Sequence, residues 1–150
     1  MAETQYWVSM DSYPPEYEDT NRLYKFYEHL MEEDRLTTTQ CKDCKTVHWP
    51  PRLMCTECLS ENLEWIDMPK TGKIYSYTVV WAGLPPALVD KAPVTYALVD
   101  FDNGVRMFTA IVDSNPDDIK TGKEVKLSVG KVDPDHEGRD RVIPYFTLIE

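Results

Sequence analysis

Two periodicities divide the chain. Leu23, Phe26, Tyr27, Leu30 and Met31 recur at i, i+3, i+4, i+7 and i+8, one apolar face of a helix. Lys25, Glu28, Glu32 and Glu33 fall mostly on the other side. Asp19, Thr20 or Asn21 can cap its start, and the pattern is expected to end near Arg35-Leu36, before the β-branched run Thr37-Thr38-Thr39. Beyond residue 70 the period shortens. Residues 73–81, 94–101, 105–112, 124–132 and 141–149 are dense in β-branched and aromatic residues or alternate in polarity, which predicts five strands.

The punctuation between strands refines this. Asn103-Gly104 is expected to supply the two positive-φ positions of a tight hairpin. Gly130 suggests a bulge, and Pro144 an edge or bulge position. Lys-Thr-Gly-Lys occurs at 70–73 and again at 120–123. Neither copy is a phosphate-binding loop, which needs a glycine five residues before the Gly-Lys and Ser or Thr after it. Each reads as a turn whose glycine reaches positive φ. Five short strands with one tight hairpin predict a Greek-key barrel of the OB type, whereas a sandwich wants about seven. The fold class is mainly β, with an N-terminal amphipathic helix. The expected divisions are residues 1–36 for an arm and helix, 37–69 for a ribbon and 70–150 for the barrel.

All four cysteines fall between helix and barrel, as Cys41-x-x-Cys44 and Cys55-x-x-Cys58 with ten residues between the pairs. Each turn aims two thiolates at one point, and two facing turns make a tetrahedral sulfur cage suited to Zn²⁺. The predicted unit is a rubredoxin-like zinc ribbon. Four protein ligands leave no open position, so the metal's expected role is structural. Iron, an iron–sulfur cluster, two disulfides or a redox-active pair are the competing readings. His48 lies between the pairs and is expected on the surface of the ribbon loop, while Trp65 is expected to pack beside the cysteine turns.

Charge narrows the partners. The chain carries 16 basic and 26 acidic residues, a net charge of −10. Residues 1–36 hold nine acids and three bases, and no segment is basic. Nucleic-acid binding draws much of its affinity from cations, so the charge argues against it. Exposed aromatics such as Tyr75, Tyr77 and Phe108 are what a nucleic-acid-binding ribbon and OB module would use for stacking. No apolar run approaches the ~20 residues of a membrane span, and the N-terminus lacks a signal-like apolar stretch. A cytoplasmic protein is expected. The acidic stretch 1–18 holds Tyr6, Trp7, Tyr13, Pro14, Pro15 and Tyr17. The two prolines favour an extended path, and the aromatics suggest an arm that lies on another surface. Trp7, Tyr24 and Tyr27 are the candidate partner-binding residues.

No catalytic constellation is legible. A nucleophile needs a base oriented by a third group, the cysteines are committed to metal, and no acid is expected in an apolar strand where its pKa would be raised. His29, His48 and His136 read as solvated surface residues. An independent acyl-CoA hydrolase or decarboxylase would need a polar triad hidden around His29 or His136.

Beyond these features the chain resembles the family of zinc-ribbon OB-fold proteins that accompany thiolases and other acyl-CoA enzymes. The resemblance covers about residues 20–150. Its carriers are the two cysteine pairs, Pro50-Pro51-Arg52 between them, the run from Gly72 to Thr78, and Gly122-Lys123-Glu124-Val125. Lys45 stands where the family usually has glycine. The resemblance implies structural Zn²⁺ and a hetero-oligomer with a thiolase-like subunit, which supplies the catalytic cysteine. This chain would be the non-catalytic subunit that helps hold CoA or acyl-CoA. Lys73, Arg106 and Lys123 are the candidate CoA-binding cations, and the apolar loop 81–89 is a candidate groove wall or partner clasp.

Overall fold

The computed structural model describes residues 24–84, 86–134, 138 and 140–149. Trp7, the capping candidates at 19–21 and His136 lie outside the described residues. Helix α1 (Tyr24–Glu33) is followed by three short ribbon strands, β1 (Thr37–Cys41), β2 (Val47–His48) and β3 (Leu63–Asp67). Five barrel strands complete the chain: β4 (Thr71–Val80), β5 (Val94–Asp100), β6 (Arg106–Ile111), β7 (Glu124–Val132) and β8 (Arg141–Leu148).

Helix α1 buries Phe26 and Leu30, one turn apart, while Tyr27 is half-buried and Met31 faces solvent. Asp34 ends the helix by turning to φ +51°, and the Arg35 N–H reaches back to the His29 carbonyl at 3.1 Å. Phe26, Leu30 and Leu36 join Met68, Ile74, Val99 and Phe146 in one continuous core. Helix, ribbon and barrel therefore exclude water together.

In the ribbon, β1 lies between β2 and β3, both antiparallel to it. The three threonines that begin β1 are all buried, so each hydroxyl needs a partner. Thr37 Oγ1 meets His29 Nδ1 at 3.1 Å. Thr38 donates to the His48 carbonyl. Thr39 Oγ1 accepts the Arg52 N–H at 2.8 Å and donates to the Arg52 carbonyl at 3.2 Å. The threonine run thus ties the helix to the ribbon and pins both ends of the segment carrying Trp49, Pro50 and Pro51.

The barrel closes in the order β4-β5-β6-β8-β7, with β7 returning to β4. Strands β6 and β8 run parallel and share a single register pair, Ile111 with Phe146. Among the described residues β8 instead pairs along its whole length with β7. Pro144 sits in β8 beside the sparse seam, where its missing N–H costs no ladder bond. Its carbonyl accepts from Thr109 Oγ1 at 2.7 Å.

Several expectations about glycines are corrected. The break in register lies in β4, between Ile74 and Ser76, not at Gly130. Gly130 instead makes room for the Tyr145 ring, whose Cδ2 would lie 2.3 Å from an added Cβ. Gly72 belongs to β4 rather than to a turn. A Cβ there would meet Val99 Cγ1 at 2.6 Å and the Asp100 carbonyl oxygen at 2.7 Å. Gly122 does take positive φ, +86°. At the β5–β6 hairpin only Gly104 does so, at +82°. Its N–H bonds the Phe101 carbonyl at 3.0 Å, and Phe101 N–H bonds Val105 O at 2.9 Å. This is a turn followed by a left-handed bulge residue rather than a two-residue loop.

Backbone cannot yield as a ring can, so Gly72→Ala is expected to destabilise more than Gly130→Ala. The loss at Gly72 should be about 1–3 kcal/mol, the usual range for overpacking a tight core. Urea denaturation of the two variants, monitored by far-UV circular dichroism, measures the difference.

Candidate metal centre and the cleft beside it

The two cysteine turns have the same local geometry. In the first, Cys41 N–H bonds Thr46 O at 2.9 Å and Lys45 N–H bonds Cys41 O at 2.9 Å. In the second, Cys55 N–H bonds Ser60 O at 2.9 Å and Leu59 N–H bonds Cys55 O at 3.1 Å. The residue after each second cysteine is left-handed, Lys45 at φ +63° and Leu59 at φ +59°. That conformation favours glycine and costs a side chain about 1–2 kcal/mol, which explains the glycine usual at position 45. Asp43 joins the turns by accepting from Ser60 Oγ and, at 3.1 Å, from Asn62 Nδ2. These two hydrogen bonds, Ser60's first, hold its carboxyl below the usual range.

The four Sγ atoms lie within 4.8 Å of one another and none is in a disulfide. The nearest approaches are Cys44 to Cys55, 3.4 Å, and Cys41 to Cys58, 3.6 Å. A tetrahedral zinc with bonds of about 2.3 Å separates its sulfurs by about 3.8 Å, so the donor set fits. Cys41 and Cys55 are buried, Cys44 and Cys58 exposed. Without a cation the thiols ionise unequally. Hydrogen bonds from the Thr46 side chain and then its backbone N–H, with Cys55 adding to them, pull Cys44 down to about 6. The Ser60 N–H favours the Cys58 thiolate, but desolvation and the neighbouring cysteines outweigh it and push Cys58 up to about 12. A dication overrides that difference by favouring all four thiolates.

His48 does not face solvent as expected. Its register opposite Thr39 turns it inward, 5 % exposed, and its Nε2 has no partner among the described residues. Trp65, expected beside the cysteine turns, has its ring edge-on to His29 of α1, 5.5 Å between centroids. His29 is thereby held between Trp65 and Thr37.

Beside the ribbon, along the seam between β6 and β8, lies a cleft of about 720 Å³. Phe26 and Tyr27 of α1 form one wall, and Trp49, Pro50 and Pro51 of the ribbon form a second. Tyr96, Phe108, Pro144 and Tyr145 of the barrel form the third. Phe26 packs edge-on against Trp49 at 5.6 Å, and Tyr96 stacks on Phe108 at 5.3 Å and 17°. Phe108 nevertheless keeps 64 % of its surface exposed. Lys91 and Asp113 are the charged residues among the cleft walls.

The candidate cations gather elsewhere. Register places Lys73 opposite both Asp100 and Glu124, and Asp100 opposite Arg106. Arg106 gives Asp100 two bonds, 2.5 and 3.0 Å, and lies 3.4 Å over the Tyr75 ring. Lys73 Nζ is 3.9 Å from Glu124. Lys123 sits in the adjoining turn, where its carbonyl accepts from Ile74. These residues mark the β4-start end of the barrel, and none of them lines the cleft. Tyr27 belongs to the cleft, and half-buried Tyr24 begins the helix. The loop after β4 leaves Trp81 71 % and Val89 55 % exposed. Sequence reasoning missed the cleft and Lys91, because both depend on how three separate segments meet.

Comparison with known proteins places this architecture. Residues 32–64 match the rubredoxin-like zinc ribbon domain of ChsH2, and residues 65–130 its C-terminal OB-fold domain. The DUF35 domain-containing scaffold protein of Methanothermobacter thermautotrophicus is 35 % identical over 120 residues, 79 % of this chain and 88 % of that protein. The benzoylsuccinyl-CoA thiolase subunit BbsA of Thauera aromatica is 27 % identical over 66 % of each chain. The solved Ltp2-ChsH2(DUF35) aldolase superposes with a TM-score of 0.74 at 29 % identity, covering 91 % of this chain and 98 % of that one. The chain belongs to the DUF35 family, built of a ChsH2-type zinc ribbon and OB-fold domain. No helix among the described residues is long and apolar enough to cross a membrane.

The purified chain is expected to carry one zinc, measured by plasma mass spectrometry. Cys55→Ser, which alters a buried ligand, should reduce the metal to below a tenth of an equivalent and lower the thermal midpoint. Thiolate ligands must stay deprotonated, so acidification should release the metal.

Proposed function

We propose that this chain is the non-catalytic, zinc-containing subunit of a hetero-oligomer with a thiolase-like enzyme. Its cleft helps hold the partner's acyl-CoA during thiolytic carbon–carbon cleavage or condensation. The observation that carries the reading is the cleft itself, with its aromatic and proline walls and Lys91 at its side. Such walls suit the apolar, extended pantetheine arm of CoA, and a cation suits its phosphates. Among the described residues no cysteine outside the metal cluster supplies a nucleophile. The reacting cysteine therefore belongs to the partner. BbsA, a relative, is by name a thiolase subunit, and the related aldolase structure is by name a complex containing ChsH2.

Each part of the chain has a distinct task in this reading. Bound zinc fixes the ribbon and takes no part in the reaction. The ribbon holds Trp49, Pro50 and Pro51 against α1, and the barrel supplies the floor. Exposed Trp81 and the half-buried Tyr24 and Tyr27, with Trp7 in the arm, bind the partner. Lys91 meets CoA phosphate at the cleft, with Lys73, Arg106 and Lys123 as candidates at the β4-start end of the barrel. The expected compartment is the cytoplasm. A narrower reading, as the small subunit of a benzoylsuccinyl-CoA thiolase in anaerobic aromatic degradation, rests on the acidic, aromatic N-terminus.

Co-expression with a thiolase-like subunit is expected to give a stable hetero-oligomer by native mass spectrometry, with thiolysis that neither subunit performs alone. Lys91→Ala should raise the KM for acyl-CoA several-fold with little change in kcat, and Trp81→Ala should weaken assembly. A monodisperse monomer that neither binds nor activates the thiolase overturns the reading.

A further inference from the structure

The cleft has the chemistry of a peptide receptor. Its walls combine aromatic rings with Pro50, Pro51, Pro93 and Pro144, and it carries little charge. Aromatic grooves of this kind recognise short proline-containing segments, whose extended backbone has little entropy left to lose on binding. The chain has three Pro-Pro segments, of which Pro50-Pro51 already form a cleft wall and Pro85-Pro86 belong to the loop after β4, leaving Tyr13-Pro14-Pro15-Glu16-Tyr17 as the candidate.

We propose that this segment of the same chain occupies the cleft and shields it. The position of α1 supports the assignment. The helix is described from Tyr24 onward, and its first turn supplies Phe26 and Tyr27 to the cleft wall. Tyr17 is seven residues before Tyr24, and seven extended residues span about 23–25 Å. That is ample to return along a wall the helix itself forms. Charge does not decide the placement, since the cleft walls pair one cation, Lys91, with one anion, Asp113. The occupant covers Phe108, which would otherwise leave 64 % of an apolar ring in water. Access to the cleft becomes a competition between the arm and any other ligand. The inference does not require that this ligand be acyl-CoA or that a thiolase be the partner.

Two experiments on the full-length, zinc-loaded chain test it. With p-benzoylphenylalanine in place of Tyr13, irradiation of a dilute sample should give cross-links within one chain, mapped to peptides carrying Tyr96, Phe108 or Pro144. Cross-links to other surfaces, links only between chains, or none at all overturn the proposal. In the second, Tyr13, Pro14, Pro15 and Tyr17 are all changed to alanine, leaving the folded body unaltered. This variant should bind the apolar dye anilinonaphthalene sulfonate several-fold more than the unaltered chain, and the peptide DSYPPEYED should displace the excess. Equal dye binding, or an excess the peptide does not displace, sinks it. Failure of thiolase activation would leave both readouts untouched, so the two proposals fail separately.

Discussion

The convergence of four sulfurs is the constraint on which the rest of the molecule depends. The ribbon's strands are five, two and five residues long, too little sheet to stand alone. Thiols gathered within 4.8 Å resist joint ionisation unless a dication sits among them. Metal binding is therefore folding energy for the segment. It also fixes the loop between the turns, which is how a site with no open coordination position shapes a cleft some distance along the chain.

The ribbon acts on the barrel through buried contacts rather than through surface charge. The Thr37, Thr38 and Thr39 hydroxyls reach α1, β2 and Arg52 in turn. Leu36 and Met68, at either end of the ribbon, belong to the same core as the barrel residues, and the Met68 N–H bonds Leu36 O at 2.8 Å. The Arg35 pairs with Asp67 and Glu33 sit in solvent, where such pairs contribute little. Hydrophobic and hydroxyl contacts fix how the pieces meet, so the cleft they enclose has a defined shape.

The metal cage, the barrel and the strand positions were legible because each rests on local pattern: cysteine spacing, residue alternation and turn residues. Strand β7 spans 124–132 as its alternation predicts. What was not legible depends on contacts distant in sequence. Gly72 reads as a turn residue but is required by Val99 and the Asp100 backbone. His48 reads as surface because a loop histidine usually is, yet its register turns it inward. Lys73 and Arg106 read as available cations until Glu124 and Asp100 are found opposite them. The cleft was invisible for the same reason, since its walls come from three segments that no sequence window contains together.

Pro144 links the closure of the barrel to its hollow. A residue able to donate there would let β8 add a rung toward β6, and each rung would draw the two strands nearer. The proline leaves that zipper undone while its neighbours on the β7 side stay fully paired. The sheet is thus continuous around its girth yet slack along one line, and the cleft opens along that line.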